Sequence, residues 1–250
     1  MPVRAVSLDL FDTLVDIHMD RLPLVEIAGR RVPSTYGLLH AASLQWHALD
    51  FEHFAAELGA HDRALRGEYY DRHLEFSTLD RFRTFGERIG VADLAFARKL
   101  TELHMDEVER QVVVPGHHAA LLEALGRRTK LALCSNFTHA ATARAILARA
   151  GLLRHLDAVV ISEEVGLRKP RAEVFNAVSQ QLGLPAREIL HVGDSLDADV
   201  AGAAAVGSPT AWITRRVADP EAALAAYTGA KPVHRIADLS EVEALIDARR

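Results

Sequence analysis

The chain has 250 residues, of which 49% are hydrophobic and 25% are charged, a composition typical of a globular protein with one large domain or two modest ones. It excludes a disordered chain, a collagen-like chain and a scaffold held by disulfides, since Cys134 is the single cysteine. The formal net charge of −5 gives no electrostatic footprint for binding nucleic acid or an anionic membrane.

Neither a targeting signal nor a membrane span is predicted from the sequence. The apolar run near the start ends at Asp9 and is too short for the core of a signal peptide. A transmembrane helix needs about 20 consecutive apolar residues, and the sequence contains no such stretch. We therefore expect a soluble, cytoplasmic protein.

The pattern of the chain changes twice. An apolar run at 3–8 predicts a first β-strand, and from about residue 16 to 111 the pattern becomes helical. Residues 22–32 predict a small hairpin around Ala28 and Gly29. A start signal at 33–35 then precedes a first helix. Further helices, with Gly59 and Gly90 at helix ends, are predicted over 50–59, 61–74, 79–88 and 92–110.

Strand-like runs return after the Val-Pro-Gly sequence at 114–116 and alternate with amphipathic helical stretches. These runs are 130–134, 158–161, 189–192, 210–213 and, more weakly, 233–236. Strands alternating with helices indicate right-handed crossovers and a parallel sheet. We therefore predict an α/β fold: a discontinuous Rossmann-like core over 1–15 and 112–250, with an inserted helical domain over 16–111.

Polar clusters follow four of the predicted strands. Asp9 follows the first, Ser135 and Asn136 the second, Lys169 lies in the loop after the third, and Asp194 follows the fourth. In an open parallel sheet the ligand site lies at the carboxyl ends of the strands, so these side chains are expected to converge.

The chemistry of this cluster indicates a phosphate site with a cation. Asp9 and Asp194 would repel each other unless a cation lay between them, and carboxylate oxygens suit Mg²⁺. The hydroxyl of Ser135 and the ammonium of Lys169 supply donors for an anion. A carboxylate nucleophile, a divalent cation and a small phosphate cradle are therefore predicted.

These motifs, in this order, resemble the haloacid dehalogenase (HAD) superfamily. The helical insertion just after the first motif resembles that family's C1 cap. The resemblance covers the α/β half of the chain and rests on Asp9, Thr13 and Leu14, then Ser135 and Asn136, then Lys169 and Pro170, then Gly193, Asp194, Ser195 and Asp199.

The resemblance implies a role for each motif residue. Asp9 would attack phosphorus and form an aspartyl-phosphate. Ser135 and Asn136 would hold the transferring phosphoryl group, and Lys169 would neutralise charge on the nucleophile and the phosphate. Asp194 would bind Mg²⁺ together with Asp9.

The family pattern implies further roles around this set, and the sequence departs from it at one position. Asp199 would orient the loop, and the backbone carbonyl of Phe11 would be a third Mg²⁺ ligand. Most phosphatases of the family carry an aspartate at the position of Phe11, where it acts as general acid and base. Such catalysis is typically worth about 10²- to 10⁴-fold in rate. Asp12 or a residue of the cap is a candidate replacement.

Three functions follow, and the first is preferred. It is Mg²⁺-dependent hydrolysis of a small phosphate monoester by a monomer or homodimer. The second is a C–halogen hydrolase of the 2-haloacid dehalogenase type, favoured by the aromatic Phe11 but opposed by Asp194. The third is a phosphate-binding protein with little turnover.

Other residues are expected to have ordinary structural roles. Cys134 is expected to be a buried apolar residue without a redox role. The Arg215–Arg216 pair is predicted to be solvated, and the His117–His118 pair to open a helix with its side chains exposed. Trp212 is predicted to pack in the interior.

Overall fold

Six parallel strands form the main sheet of the computed structural model, which describes residues 2–247. The strands are β1 (Ala5–Leu8), β6 (Lys130–Ser135), β7 (Ala158–Ile161), β8 (Ile189–Gly193), β9 (Thr210–Ile213) and β10 (His234–Ile236). Their order across the sheet is β10–β9–β8–β1–β6–β7. The α/β parallel sheet predicted from the sequence is therefore confirmed.

The central strand β1 is buried on both faces. All four of its residues are buried, and successive side chains of a strand point to opposite faces of the sheet. Helix α8 (Ala172–Leu182) packs on β6 and β7, with Val174, Phe175 and Val178 in the same apolar cluster as Ala132. Continuous apolar runs produce such strands because both faces exclude water.

The described chain separates into two units. One comprises Met1–Asp16 and Val113–Arg250, and the other comprises Ile17–Val112. The domain boundaries predicted from the sequence lie one residue before the two boundaries between these units. Two-residue strands, β2 (Asp16–Ile17) and β5 (Val112–Val113), span the two boundaries.

The second unit is mainly helical. A hairpin precedes its helices, and Ala28 and Gly29 form its turn with φ values of 50° and 74°, which confirms the predicted hairpin. An apolar cluster that includes Phe54, Phe82 and Phe96 fills the interior of this unit. Its elements are β3 (Leu24–Ile27), β4 (Arg30–Pro33), α1 (Tyr36–Ser43), α2 (Phe51–Glu68), α3 (Thr78–Arg88) and α4 (Leu94–Arg110).

One predicted helix end in this unit is wrong. Gly59 lies inside α2, so the stretches predicted at 50–59 and 61–74 form one helix that ends at Glu68. Phe54, Leu58, His61 and Leu65 are buried at helical spacing, so one apolar face continues past the glycine. Burial of that face outweighs the roughly 1 kcal/mol that an interior glycine costs a helix. Gly90, with φ of 81°, does follow the end of α3, as predicted.

The first unit carries the remaining helices and short turns. Its helices are α5 (His118–Gly126), α6 (Ala140–Arg149), α7 (Ser162–Val165), α8, α9 (Gly202–Ala205), α10 (Pro220–Ala226) and α11 (Val242–Asp247). A π-helical turn spans Leu196–Ala201. Single 3₁₀ turns of this unit lie at Leu153–His155, Ala186–Glu188 and Leu239–Glu241, and two more lie in the second unit at Met19–Arg21 and Tyr70–Arg72. Within residues 2–247, no helix has the length and apolar character that crossing a membrane requires.

Candidate active site

Three of the predicted site residues lie at the carboxyl ends of three adjacent strands. Asp9 follows β1, Ser135 ends β6 and Asp194 follows β8, and β1 pairs with both of the other strands. The backbone N–H of Asp9 donates to the carbonyl of Val192, 2.9 Å away, which continues the β1–β8 ladder to the site. The parallel sheet therefore brings these residues together although they are far apart in sequence.

Lys169 lies at the centre of a buried charge network. Its Nζ donates to Asp9 Oδ1 and to Asp199 Oδ1, each at 2.6 Å, and to the carbonyl of Cys134 at 2.7 Å. An ammonium has three donors, so all of them are used. Burial alone would lower the pKa of Lys169, but the neighbouring Asp199 and Asp9 carboxylates outweigh it and raise that pKa above its usual range. The lysine therefore stays charged inside the protein.

Asn136 holds the backbone of Lys169. Its Nδ2 donates to the carbonyl of Lys169 at 3.0 Å, and its Oδ1 accepts from the backbone N–H of Lys169 at 2.7 Å. Both ends of the amide are thus engaged with this backbone. This geometry makes Asn136 a positioning residue for Lys169, and its contact with phosphate stays a prediction.

Asp199 is buried and fully engaged by three donors. Its Oδ1 accepts from Lys169 and, at 3.0 Å, from Nε2 of His191, while its Oδ2 accepts from the backbone N–H of Ser195 at 3.0 Å. Burial alone would raise its pKa, but Lys169 and His191 outweigh this and hold the pKa of Asp199 well below its usual range. Gly193 makes room for this carboxylate, since a Cβ there would lie 2.2 Å from the Asp199 Cγ.

The pKa values of Asp9 and Asp194 are raised, whereas that of Asp199 is lowered. One carboxylate oxygen from each of Asp9, Asp194 and Asp199 lies within 4.8 Å of the others, with Lys169 as the cation bonded to two of them. Burial, with the Asp199 charge, raises the pKa of Asp9 to about 6 although Lys169 opposes the rise. Burial and the charges of Asp9 and Asp199 raise the pKa of Asp194 to about 7. The excess negative charge at this pair fits a hard divalent cation, with Asp9 and Asp194 as oxygen donors.

The hydroxyl of Ser135 is available for a ligand. Its side chain is buried, with 1% of the residue exposed, and its Oγ has no hydrogen-bond partner in the part of the chain that the structure describes. A buried hydroxyl without a partner is costly. An anion bound at the strand ends would satisfy it.

The segment after Asp9 carries an aromatic residue, Phe11, at the position where a second carboxylate would act as general acid. The ring of Phe11 packs edge-to-face on Phe137, with centroids 5.0 Å apart. Asp12 adopts a left-handed conformation with φ of 55°, and its Oδ1 lies 2.7 Å from Nε of Arg216. The arginine holds the carboxylate of Asp12 in an ion pair.

Two arginines of the first unit were wrongly predicted to be merely solvated. Arg215 pairs with Asp16 at 2.6 Å, and Arg216 pairs with Asp12, so both ends of the segment from 12 to 16 are bound to the residues that follow β9. The side chain of Arg215 is 20% exposed. The positions of the two arginines directly after a strand were the available sequence signal.

His191 and Trp212 are further positioning residues. His191 lies opposite Ser7 in the β1–β8 register, and its Nδ1 is 3.2 Å from the Ser7 Oγ. Because Nε2 donates to Asp199, Nδ1 accepts from the serine. Trp212 is buried as predicted, and its indole N–H also donates to the carbonyl of Asp194 at 2.7 Å. A histidine inside the apolar run 189–192 was the signal that sequence reasoning missed.

Cys134 is buried and free, as predicted. Burial raises the pKa of its thiol to about 12, so the thiol stays protonated. Its contribution to the site comes from the backbone carbonyl that accepts from Lys169.

Comparisons with known proteins add a family and a fold. The family model described as haloacid dehalogenase-like hydrolase matches residues 3–207. A phosphoserine phosphatase from Thermus thermophilus is 36% identical over 148 residues, which cover 58% of this chain and 56% of that protein. The match thus spans little more than half of that relative.

A second relative and a solved structure extend this likeness. The pyrimidine 5′-nucleotidase YjjG of Escherichia coli is 31% identical over 169 residues, covering 66% of this chain and 69% of that protein. The crystal structure of a 2-haloacid dehalogenase from Pseudomonas syringae matches with a TM-score of 0.70 at 20% identity, covering 99% of each chain. At this identity the structural match shows the fold alone.

Proposed function

The chain belongs to the haloacid dehalogenase-like hydrolases, and we propose that it is a Mg²⁺-dependent phosphatase acting on a small phosphate monoester. The observation that carries the proposal is the approach of carboxylate oxygens of Asp9 and Asp194 to within 4.8 Å of each other, at the strand ends that also carry the buried, unpartnered hydroxyl of Ser135. Two neighbouring carboxylates are stabilised by a bound cation, and the unpartnered hydroxyl of Ser135 is stabilised by a bound anion. A metal ion together with a phosphate would satisfy both.

Mg²⁺ fits the donor set. Asp9 and Asp194 offer oxygens near one another, and Asp199 does not compete because its oxygens already accept from Lys169, His191 and Ser195. We propose the backbone carbonyl of Phe11 as a further ligand. When bound, the ion would offset the negative charge that otherwise keeps a phosphate from the carboxylates.

Asp9 is the proposed nucleophile. Its carboxylate oxygen would form a bond to phosphorus while the bond from phosphorus to the ester oxygen breaks, giving an aspartyl-phosphate and an alkoxide or aryloxide that takes a proton from water. Water would then attack the phosphorus while the bond from phosphorus to the Asp9 oxygen breaks, which releases phosphate, restores the carboxylate and passes the proton of the attacking water to solvent. Lys169, 2.6 Å from Asp9, would hold the nucleophile in place and keep it ionised.

The surrounding residues serve orientation. Ser135 would donate its hydroxyl to the phosphoryl oxygens. Asn136 would hold Lys169 through the lysine backbone, and Asp199 would hold its Nζ. Such preorganised donors stabilise charge that develops during the transfer without reorganising at the moment of reaction.

The aromatic Phe11 limits the choice of substrate. Its side chain cannot protonate a departing alkoxide, and Asp12 is paired with Arg216. We therefore expect esters whose leaving group departs as a stable anion to react fastest. Asp12 and residues of the unit Ile17–Val112, which we propose as the cap that selects substrates, remain candidate acids.

The names of the relatives agree with a monoester substrate. O-Phosphoserine and pyrimidine 5′-nucleotides, to which the two relatives' names refer, are both small phosphate monoesters. Phe11 favours a second function, displacement of halide from carbon by Asp9, which needs no acid. Asp194 speaks against it, because a second carboxylate beside the nucleophile would repel a haloacid anion unless a metal ion neutralised it.

Phosphate release from an aryl phosphate, with Mg²⁺ or with chelator, tests the proposal. We expect turnover with the metal to exceed turnover with chelator by about tenfold or more. Halide release from a 2-haloacid, unaffected by chelator, would support the dehalogenase function instead. Binding of a phosphate analogue without turnover would support a phosphate-binding protein.

The Asp194→Asn variant tests the metal site. Because the folded pKa values of Asp9 and Asp194, about 6 and 7, lie above 3.8, their neutral forms are favoured by folding. The resulting stability is complete below about pH 3.8 and is lost as the pH rises through these values. We expect Asp194→Asn to stabilise the metal-free protein by about 1–2 kcal/mol at about pH 8, and to have little effect at about pH 4.

Urea unfolding in chelator at both pH values measures this difference. The exposed Asp197, three positions along the chain, provides a matched control, and Asp197→Asn should change the free energy of unfolding by less than about 0.5 kcal/mol. Added Mg²⁺ should raise the midpoint of the wild-type protein and of the control, but not that of Asp194→Asn. Equal Mg²⁺ stabilisation of all three proteins would contradict the site.

A further inference from the structure

A second cluster of potential metal ligands lies apart from the strand ends of the candidate active site. It consists of His117, His118 and Asp238, at the start of α5 and at the residue that caps the 3₁₀ turn Leu239–Glu241. One ring nitrogen of each histidine and one carboxylate oxygen lie within 4.8 Å of one another. Two imidazoles and a carboxylate form a donor set unlike the carboxylates of the strand ends.

His118 has the hydrogen-bonding state of a metal ligand. Its residue is 0% exposed, and its Nδ1 lies 2.8 Å from the carbonyl oxygen of Leu14. A carbonyl can only accept, so Nδ1 carries the hydrogen and Nε2 carries a lone pair. This Nε2 is buried and meets no hydrogen-bond partner within residues 2–247. The sequence-based expectation that His118 is exposed was therefore wrong.

His117 and Asp238 complete the cluster. Nε2 of His117 lies 3.0 Å from Oδ1 and 3.2 Å from Oδ2 of Asp238. Ligands at about 2.0–2.1 Å from a tetrahedral metal ion are about 3.3 Å apart, so the pair is already close to that spacing. The two histidine rings lie edge-to-face with centroids 4.6 Å apart.

We propose that His117, His118 and Asp238 bind a divalent transition-metal ion, with Zn²⁺ as the representative. Nε2 of His118 would be one ligand, and the bond from its Nδ1 to Leu14 would fix the ring, as backbone carbonyls commonly do for metal-binding histidines. Imidazole donors favour Zn²⁺ over Mg²⁺, whereas the carboxylates Asp9 and Asp194 suit Mg²⁺. The same chain therefore separates two ions by donor chemistry.

The site also has a structural consequence. Leu14 belongs to the segment that follows Asp9, and its carbonyl would be linked through His118 to the bound ion. Because unfolding would separate these ligands, Zn²⁺ binding should stabilise the folded chain. The open position left by three protein ligands would be filled by water.

Equilibrium dialysis of the full chain against micromolar Zn²⁺, with excess Mg²⁺ to occupy the carboxylates, tests the proposal. We expect one tightly held equivalent of Zn²⁺ and a rise in melting temperature. Both His117→Ala and Asp238→Asn should weaken binding by about tenfold or more. The variants alter partly exposed side chains, so circular dichroism should show that they fold.

Substituting Co²⁺ for Zn²⁺ gives a second readout, because the intensity of its visible absorption rises when the ion leaves six-coordinate water for a four-coordinate protein site. His53 provides the matched control: it pairs with Asp50 at 2.8 Å on the surface of α2. His53→Ala should keep the bound equivalent and the Co²⁺ band. Absence of bound Zn²⁺ in the wild-type chain, or wild-type affinity in both His117→Ala and Asp238→Asn, would overturn the proposal.

Discussion

We expect the Asp9→Asn variant to lose at least about 10⁴-fold in kcat/KM toward an aryl phosphate while it keeps its fold. An asparagine amide is a poor nucleophile, so it cannot form the bond to phosphorus, although its oxygen can still accept from Lys169 at the position where Asp9 Oδ1 lies 2.6 Å away. The substitution also removes a charge that burial disfavours, since the pKa of Asp9 is raised to about 6. Stability should therefore not decrease.

A direct readout accompanies the kinetic measurement. Wild-type protein quenched in acid during turnover of a labelled phosphate ester should carry label that hydroxylamine releases, because an aspartyl-phosphate is an acyl phosphate. Asp9→Asn should carry none, and Asp197→Asn, altered at an exposed position near the site, should match the wild type. Turnover of Asp9→Asn within about tenfold of the wild type would contradict a nucleophilic role.

The Lys169→Met variant should lose about 3–5 kcal/mol of unfolding free energy at about pH 8, together with about 10²- to 10³-fold in kcat. Methionine fills similar volume, but Asp9 and Asp199 would face each other in the interior without the ammonium that now lies 2.6 Å from both. The low pKa of Asp199 means that its ionisation stabilises the native fold above about pH 3.8. In the variant Asp199 keeps only His191 and the backbone N–H of Ser195 as donors, so burial and the charge of Asp9 raise its pKa and the sign reverses.

This reversal gives the destabilisation of Lys169→Met a specific pH dependence. The destabilisation of Lys169→Met should be smaller at about pH 5 than at about pH 8, since protonation removes the repulsion. The double variant Lys169→Met/Asp199→Asn should recover part of the loss. Lys99→Met serves as the control, because that lysine is 44% exposed and its exposed partner Glu102 is 3.6 Å away, so we expect a change below about 0.5 kcal/mol.

Local pattern was sufficient to predict the sheet and the identities of the residues at its carboxyl end. All six strands appear where strand-like runs predict them, and the buried ones are mainly apolar because a strand covered on both faces excludes water from both. Asp9 and Asp194 follow such runs directly, and parallel strands then place them at the same edge. The predicted helix end at Gly59 was wrong because the buried apolar face of α2 continues on both sides of the glycine, and its burial stabilises the helix across that position.

The assignment of partners required the tertiary structure. Hydrogen bonds from distant residues determine which carboxylate oxygens are already engaged and which are left to bind a cation. They come from His191, 8 positions from Asp199, and from Lys169, 160 positions from Asp9. Arg216 pairs with Asp12 across the same unit, and His118 donates to Leu14, 104 positions away. The periodicity of apolar residues indicates which side chains of a helix or strand are buried and which face water, and this can be seen within one short segment. A hydrogen bond or an ion pair depends on where two distant segments meet, and only the packed chain determines that.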